Sequence, residues 1–134
     1  MPINIRWYND EKTILLEELS GTYTLDDYIA LIDEAREHVM SCDHTVDIIG
    51  DFTGTNHRKL PHYLMSAARY ADKQVPPNQG IAVFVNPGMF IETILRMARQ
   101  LQIQAADEVV VAKTVDEAVE IIEQEQAKRE LSPT

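Results

Sequence analysis

Val46-Asp47-Ile48-Ile49-Gly50, followed directly by Asp51-Phe52-Thr53-Gly54-Thr55-Asn56-His57, is the run on which the fold of this chain turns. Its β-branched residues suit a pleated surface and the polar, glycine-bearing residues behind them suit a loop, so a short buried strand is expected over Val46 to Gly50. Helical patterns flank it on both sides. Upstream, Thr24 stands as an N-cap before Asp26 and Asp27, and Leu25, Ile29, Ile32, Ala35 and Val39 recur at helical spacing until Met40. Downstream, Pro61 suits a first helical turn, and Leu60, Leu64, Ala67, Ala68 and Ala71 form a second apolar stripe. A strand set between two helices is the repeating unit of a parallel α/β sheet.

The pattern extends to both ends. Ile3, Ile5 and Trp7 alternate with polar residues, and after the turn Asn9-Asp10-Glu11-Lys12 a second strand over Thr13 to Leu19 closes an antiparallel hairpin. Pro76-Pro77-Asn78-Gln79-Gly80 is a break before a strand over Ile81 to Val85, and Asn86-Pro87 supplies a cap and first-turn proline for a helix lined by Phe90, Ile94, Ala98 and Leu101. Glu108 to Ala112 is the fifth strand. Thr114-Val115-Asp116-Glu117 has capping-box spacing and opens a fourth helix through Val115, Ala118, Val119 and Ile122. The expected architecture is α/β, a five-stranded mixed sheet with four helices, strands two to five parallel through right-handed crossovers and the first antiparallel at an edge. One domain is expected over 1–127 and a frayed tail over 128–134, with Trp7, Ile29, Ile32, Val83, Phe90, Ile94 and Ile122 in the core.

Composition narrows the classes of function. The chain has 134 residues, 45% hydrophobic and 25% charged, and a net charge of -10, so a nucleic-acid backbone is repelled on average. No apolar run reaches the length of a membrane span, and Met1 to Arg6 shows no basic region followed by an apolar run, so an unexported protein is expected. Cys42, the single cysteine, has no internal disulfide partner. A cytoplasmic location is expected. The charge is uneven: Phe52 to Ala106 holds Arg58, Lys59, Arg69, Lys73, Arg96 and Arg99 against Asp72 and Glu92, a balance of +4 that leaves -14 elsewhere. A basic segment within an acidic chain suits an anion or an acidic partner.

Motifs for the commoner chemistries are missing. Neither GxxxxGK[ST] nor GxGxxG occurs, and Cys42 with His44 lacks a second ligand pair for zinc, so no cofactor and no metal are expected. Asp51, His57 and His62 are the only grouping that suggests hydrolase or transferase chemistry, and it lacks a nucleophile-base pair. Asp51 at a strand end resembles the phosphoacceptor of receiver domains, but the acidic pair and lysine that would complete a Mg²⁺ site are replaced by Ser20-Gly21 and Asn86-Pro87. Asp51 is therefore expected to serve a turn.

Asp51-Phe52-Thr53-Gly54-Thr55 also resembles the Asp-Leu-Ser-Gly-Val run at the corresponding strand end of STAS domains, the anti-sigma-factor-antagonist-like family. The element order from Ile3 to Glu125, N-terminal hairpin included, is similar to that family's. The resemblance implies a bacterial, non-enzymatic regulatory or ligand-binding module acting through a protein partner or a small anion. Many relatives carry an Asp-Ser-Ser-Gly or Asp-Ser-Thr-Gly motif with a phosphorylated hydroxyl; those positions fall here around Lys59-Leu60-Pro61-His62, and the motif is absent.

Two candidate surfaces follow. Asp51, Thr53, Thr55, His57, Arg58 and Lys59 gather at the carboxyl end of a parallel strand, where helix N-termini attract anions. If strand order follows chain order, as in that family, sequential right-handed crossovers put every long helix on one face of the sheet. The other is then expected to be bare and to show an apolar stripe of Leu15, Ile49, Phe84 and Val110, covered by a homodimer mate, by an apolar ligand such as a lipid, or by side chains of the hairpin or the terminal tail.

Overall fold

The computed structural model describes residues 3–55, 69–70, 72–73, 75–103 and 109–131. Among these, the elements in chain order are β1 (Ile3–Trp7), β2 (Ile14–Gly21), α1 (Leu25–Met40), β3 (Val46–Thr55), β4 (Gln79–Val85), α2 (Met89–Gln100), β5 (Val109–Ala112) and α3 (Val115–Leu131). The five strands form one sheet in sequential order, β1 antiparallel to β2 and each later neighbour parallel. The second of the four expected helices, from Leu60 to Ala71, lies outside the described residues apart from helical backbone at 69–70. There Tyr70 donates a 2.6 Å hydrogen bond to Asp33 of α1.

Local chemistry fixes where α1 begins and ends. Thr24 accepts from the Asp27 amide at 3.1 Å while Asp27 accepts from the Thr24 amide at 2.9 Å, a complete capping box. At the other end the Asn78 side-chain amide reaches the carbonyls of Val39, Cys42 and His44 at 2.7 to 3.2 Å and so ties the helix exit to the entrance of β4. Along α1 the buried residues are Leu31, Ala35 and Val39, whereas Ile29 and Ile32, expected in the core, are half-buried, as is Trp7. Val83 and Ile122 are buried as expected, and the side chains of Phe90 and Ile94 fall outside those described.

Helices cover both faces of the sheet. On one, α1 and α2 bury Leu15, Leu19, Val46, Ile48 and Phe52. On the other, Ala118, Val119 and Ile122 of α3 pack on Ile14, Leu16, Ile49, Val83, Val85 and Ala112. This overturns the expected bare face. Right-handed crossovers constrain only helices that join two parallel strands, and α3 follows the last strand, so it is free to close the opposite side. The four residues of the expected stripe do not even share a face. Leu15 pairs with Ile48 and Phe84 with Gly50 on the α1 side, while Ile49 and Val110 pair with Leu16 and Val83 on the α3 side. Leu15 and Ile49 are 0% exposed, Phe84 is partly buried against α1 and α2, and Val110 alone opens to solvent at 38%.

The far end of α3 is no frayed tail. Arg129 makes a two-pronged ion pair with Asp47 of β3, Nη1 to Oδ2 at 2.9 Å and Nη2 to Oδ1 at 2.7 Å, and Gln126 adds a bond to Oδ2 at 3.2 Å. Helix therefore continues to Leu131, past the boundary expected at Lys128. The register explains why Asp47 is free to do this. Between Val46 and Ile48 on β3 lies one residue, but between their partners Gln79 and Ala82 on β4 lie two, a bulge at Gly80-Ile81. The amide of Ile81 donates to Asp47 Oδ1 at 2.9 Å.

Candidate functional site

A second bulge shapes the carboxyl end of β3. Phe52 and Thr53 together oppose Leu19, between the pairs Glu18 with Asp51 and Ser20 with Gly54. The Thr53 amide turns to Asp51 Oδ1 at 3.0 Å, an Asx turn of the kind expected of Asp51. Beyond it the chain re-enters the sheet, so Asp51 to Thr55, expected as loop, are strand residues. The bulge is what lets a polar, glycine-bearing run remain paired.

Next to this bulge, Asn86 links three strand ends. Its amide donates to the Ala112 carbonyl of β5 at 3.0 Å, its side chain donates to Thr53 Oγ1 of β3 at 3.4 Å, and it directly follows β4. It holds a left-handed φ of 51°, tolerated by asparagine better than by most residues. Gly88, at φ 86°, is the true N-cap of α2, so the cap expected at Asn86-Pro87 stands two residues too early. Among the described residues no side chain caps α2, whose N-terminus follows β4 at the same edge.

The structure thus brings together Asp51, Thr53, Thr55 and Asn86. Asp51 is occupied by the turn, and Thr55 donates its hydroxyl to the Phe52 carbonyl at 2.7 Å. Thr53 is exposed and uses its hydroxyl oxygen toward Asn86. His57, Arg58, Lys59 and His62 lie outside the described residues. Among the described residues no group of three or more His, Cys, Asp or Glu side chains is placed to hold a metal ion, and no helix is long and apolar enough to cross a membrane. Asn86 went unnoticed as a site residue because it reads locally as a helix cap. Its role depends on strands that only the sheet order brings together.

On the α1 side of the sheet lies a carboxyl that sequence reasoning also missed. Glu17 sits mid-strand in β2, between Ile5 of β1 and Gly50 of β3 in the register. Burial raises its pKa from 4.5 to about 8. Tyr28 of α1 is close enough that the Glu17 charge joins burial in pushing its phenol upward, and Tyr28 stacks on Tyr23 with ring centroids 5.8 Å apart. An acid among core-facing residues of alternating parity, Leu15-Leu16-Glu17-Glu18-Leu19, was the available signal.

No family model matches the chain, and no curated protein matches it. Among solved structures it is similar to the NMR structure of the protein TM1081, at 13% sequence identity and a TM-score of 0.58, over 89% of this chain and 85% of that one. The likeness is one of fold, the same α/β arrangement over nearly the full length of both chains.

Proposed function

We propose that this protein is a non-enzymatic, STAS-like binding module whose working edge is formed by Thr53, Thr55, Asn86 and the N-terminus of α2, and whose ligand is a small anion or an acidic segment of a regulatory partner. The observation that carries this reading is the convergence of the β3 bulge, Asn86 and an α2 N-terminus without a side-chain cap at one edge of a parallel sheet. Ligands of such sheets bind beyond the carboxyl ends of the strands, and free helix amides favour negative charge there. Sequential strand order, an N-terminal antiparallel hairpin and the Asp-Phe-Thr-Gly-Thr run support the STAS-like assignment. The basic balance of Phe52 to Ala106, which includes Arg58 and Lys59, supports an anionic occupant.

A hydrolase or transferase reading through Asp51 is less well served, because its Oδ1 already holds the Thr53 amide. The apolar-carrier reading loses its surface to α3. The test is binding of inorganic phosphate and of an acidic peptide, followed by NMR, to wild type and to Thr53→Ala, Asn86→Ala and the paired Arg58→Ala, Lys59→Ala variant. The reading expects weakened binding in all three. Equal binding by wild type and variants contradicts it.

A further inference from the structure

Among the described residues β5 is the last strand of the sheet, beyond β4. Peptide groups point alternately to the two sides of a strand. The Ala112 carbonyl accepts the Asn86 amide on the β4 side at 3.0 Å, so Val110 and Ala112 turn their N–H and C=O groups to β4, and Val109 and Val111 turn theirs outward. A second bond agrees: Arg99 of α2 donates from Nη2 to the Val109 carbonyl at 2.7 Å, from outside the sheet. Side chains alternate as well. Val110 lies on the α3 face at 38% exposure and Val111 on the α2 face at 36%, so the middle of the strand meets solvent on both sides.

An edge of this kind accepts another extended chain, with main-chain bonds supplying affinity and alternate side chains supplying specificity. Charge decides which chain fits. Arg99 stands at one end of β5 and the exposed Lys113 at the other, with Arg96 about one turn before Arg99 on α2. Of the acids on these elements, Glu92 is in the first turn of α2, and Glu117 of α3 already accepts the Lys113 amide at 3.4 Å. A second copy of β5 would pair antiparallel across a two-fold axis, which lays Lys113 of each copy at the Val109 end of the other, against Arg99. Like charges then meet at both ends. A strand with carboxylates on the α2 face meets the opposite situation. Arg99 holds a carboxylate more strongly than a peptide carbonyl, and in moving to one it releases the Val109 carbonyl to the new ladder.

We propose that the outer edge of β5 is a docking site for an acidic extended segment of a partner protein. The segment adds a strand beyond β5, with carboxylates toward Arg99 and Lys113 and apolar side chains beside Val110. This surface is distinct from the strand-end edge at Thr53 and Asn86 and does not depend on anion binding there.

The experiment titrates the intact protein with a capped hexapeptide of alternating Glu and Val, followed by ¹H–¹⁵N chemical shifts and amide hydrogen exchange. The proposal expects saturable shifts centred on 109–113, and slower exchange at the Val111 amide with little change at Val110 and Ala112, whose amides already bond to β4. A Lys-Val counterpart is expected not to bind. Methylating the backbone nitrogens of the Glu-Val peptide, which removes its donors and leaves the protein untouched, is expected to weaken binding about tenfold. Val111→Pro removes an outward N–H and spares the bonds to β4, so the same loss is expected of it. Lys113→Glu is expected to weaken binding several-fold. Absence of saturable binding, equal binding of the Lys-Val peptide, undiminished binding of the methylated peptide, or a dimer formed through β5 without peptide overturns the proposal. Shifts confined to Thr53, Asn86 and the start of α2 also overturn it, and leave the strand-end reading standing.

Discussion

The carboxylate of Asp47 accepts four hydrogen bonds, from the Ile81 amide, Gln126 and both terminal nitrogens of Arg129, while being 0% exposed. Such an ion is tolerated because every lone pair is used. Gly80 makes room for it: a Cβ at Gly80 would run into Asp47 Oδ1 and Arg129 Nη2. Gly80→Ala is accordingly expected to destabilise the protein by about 2–4 kcal/mol, the cost of forcing a packed, hydrogen-bonded pair apart, and urea denaturation measures it. Glu17 behaves in the opposite sense. Its folded-state pKa is raised, so the native state keeps a proton the unfolded chain has lost, and stability falls as pH climbs from 4.5 toward 8. At about 1.4 kcal/mol per unit the loss across that window is on the order of 3 kcal/mol after allowing for partial exposure. Glu17→Gln is expected to remove this slope and to be the more stable protein at pH 8, with little difference near pH 4. Denaturation curves that keep the wild-type slope in the variant would assign the pH dependence to other groups.

At the scale of elements, α3 is held in two different ways. Its first half uses Ala118, Val119 and Ile122 on the apolar sheet, and its second half depends on Asp47. Arg129→Met leaves that buried carboxylate without its cation, a change that costs about 3–5 kcal/mol. Hydrogen exchange should then show amides from Glu123 to Leu131 losing protection while those from Ala118 to Ile122 keep more of theirs. Uniform protection along α3 would mean that apolar contact alone seats the helix. The same helix marks the limit of what sequence could convey. Periodicity and capping signals located β1, β2, β4, β5, the N-cap of α1 and the start of α3, because each depends on residues within one turn or a few alternations. Thr114 indeed accepts from the Glu117 amide at 3.0 Å. What stayed hidden depends on pairing: which parity of β2 matches which parity of β3, the bulges that shift it, and an Arg129 that finds Asp47 82 residues away. The expected apolar stripe mixed residues of two faces for this reason. For the candidate site, Asp51 was legible as a turn residue and Thr53 and Thr55 as its neighbours, whereas Asn86 and Glu17 gain their surroundings only from strands and helices distant in sequence.

Over the described residues, helices pack on both faces of the sheet, and at the carboxyl ends of β3 and β4 the polar residues Thr53 and Asn86 are exposed. The net charge of -10 contains a segment of +4 that includes Thr53, Asn86 and α2. On the proposed reading, anions are drawn to this edge by charge, so binding there is expected to weaken as salt is added. An affinity for phosphate independent of ionic strength would argue against an electrostatic site. The most direct test of the strand-end edge as the working surface is a ¹H–¹⁵N chemical-shift map of the intact protein titrated with inorganic phosphate. The account predicts saturable shifts gathered at Thr53, Gly54, Thr55, Asn86 and the first turn of α2, with the capped start of α1 at Thr24 to Asp27 unmoved. Shifts centred on α1 or α3, or an absence of saturable shifts at Thr53 and Asn86, would contradict it.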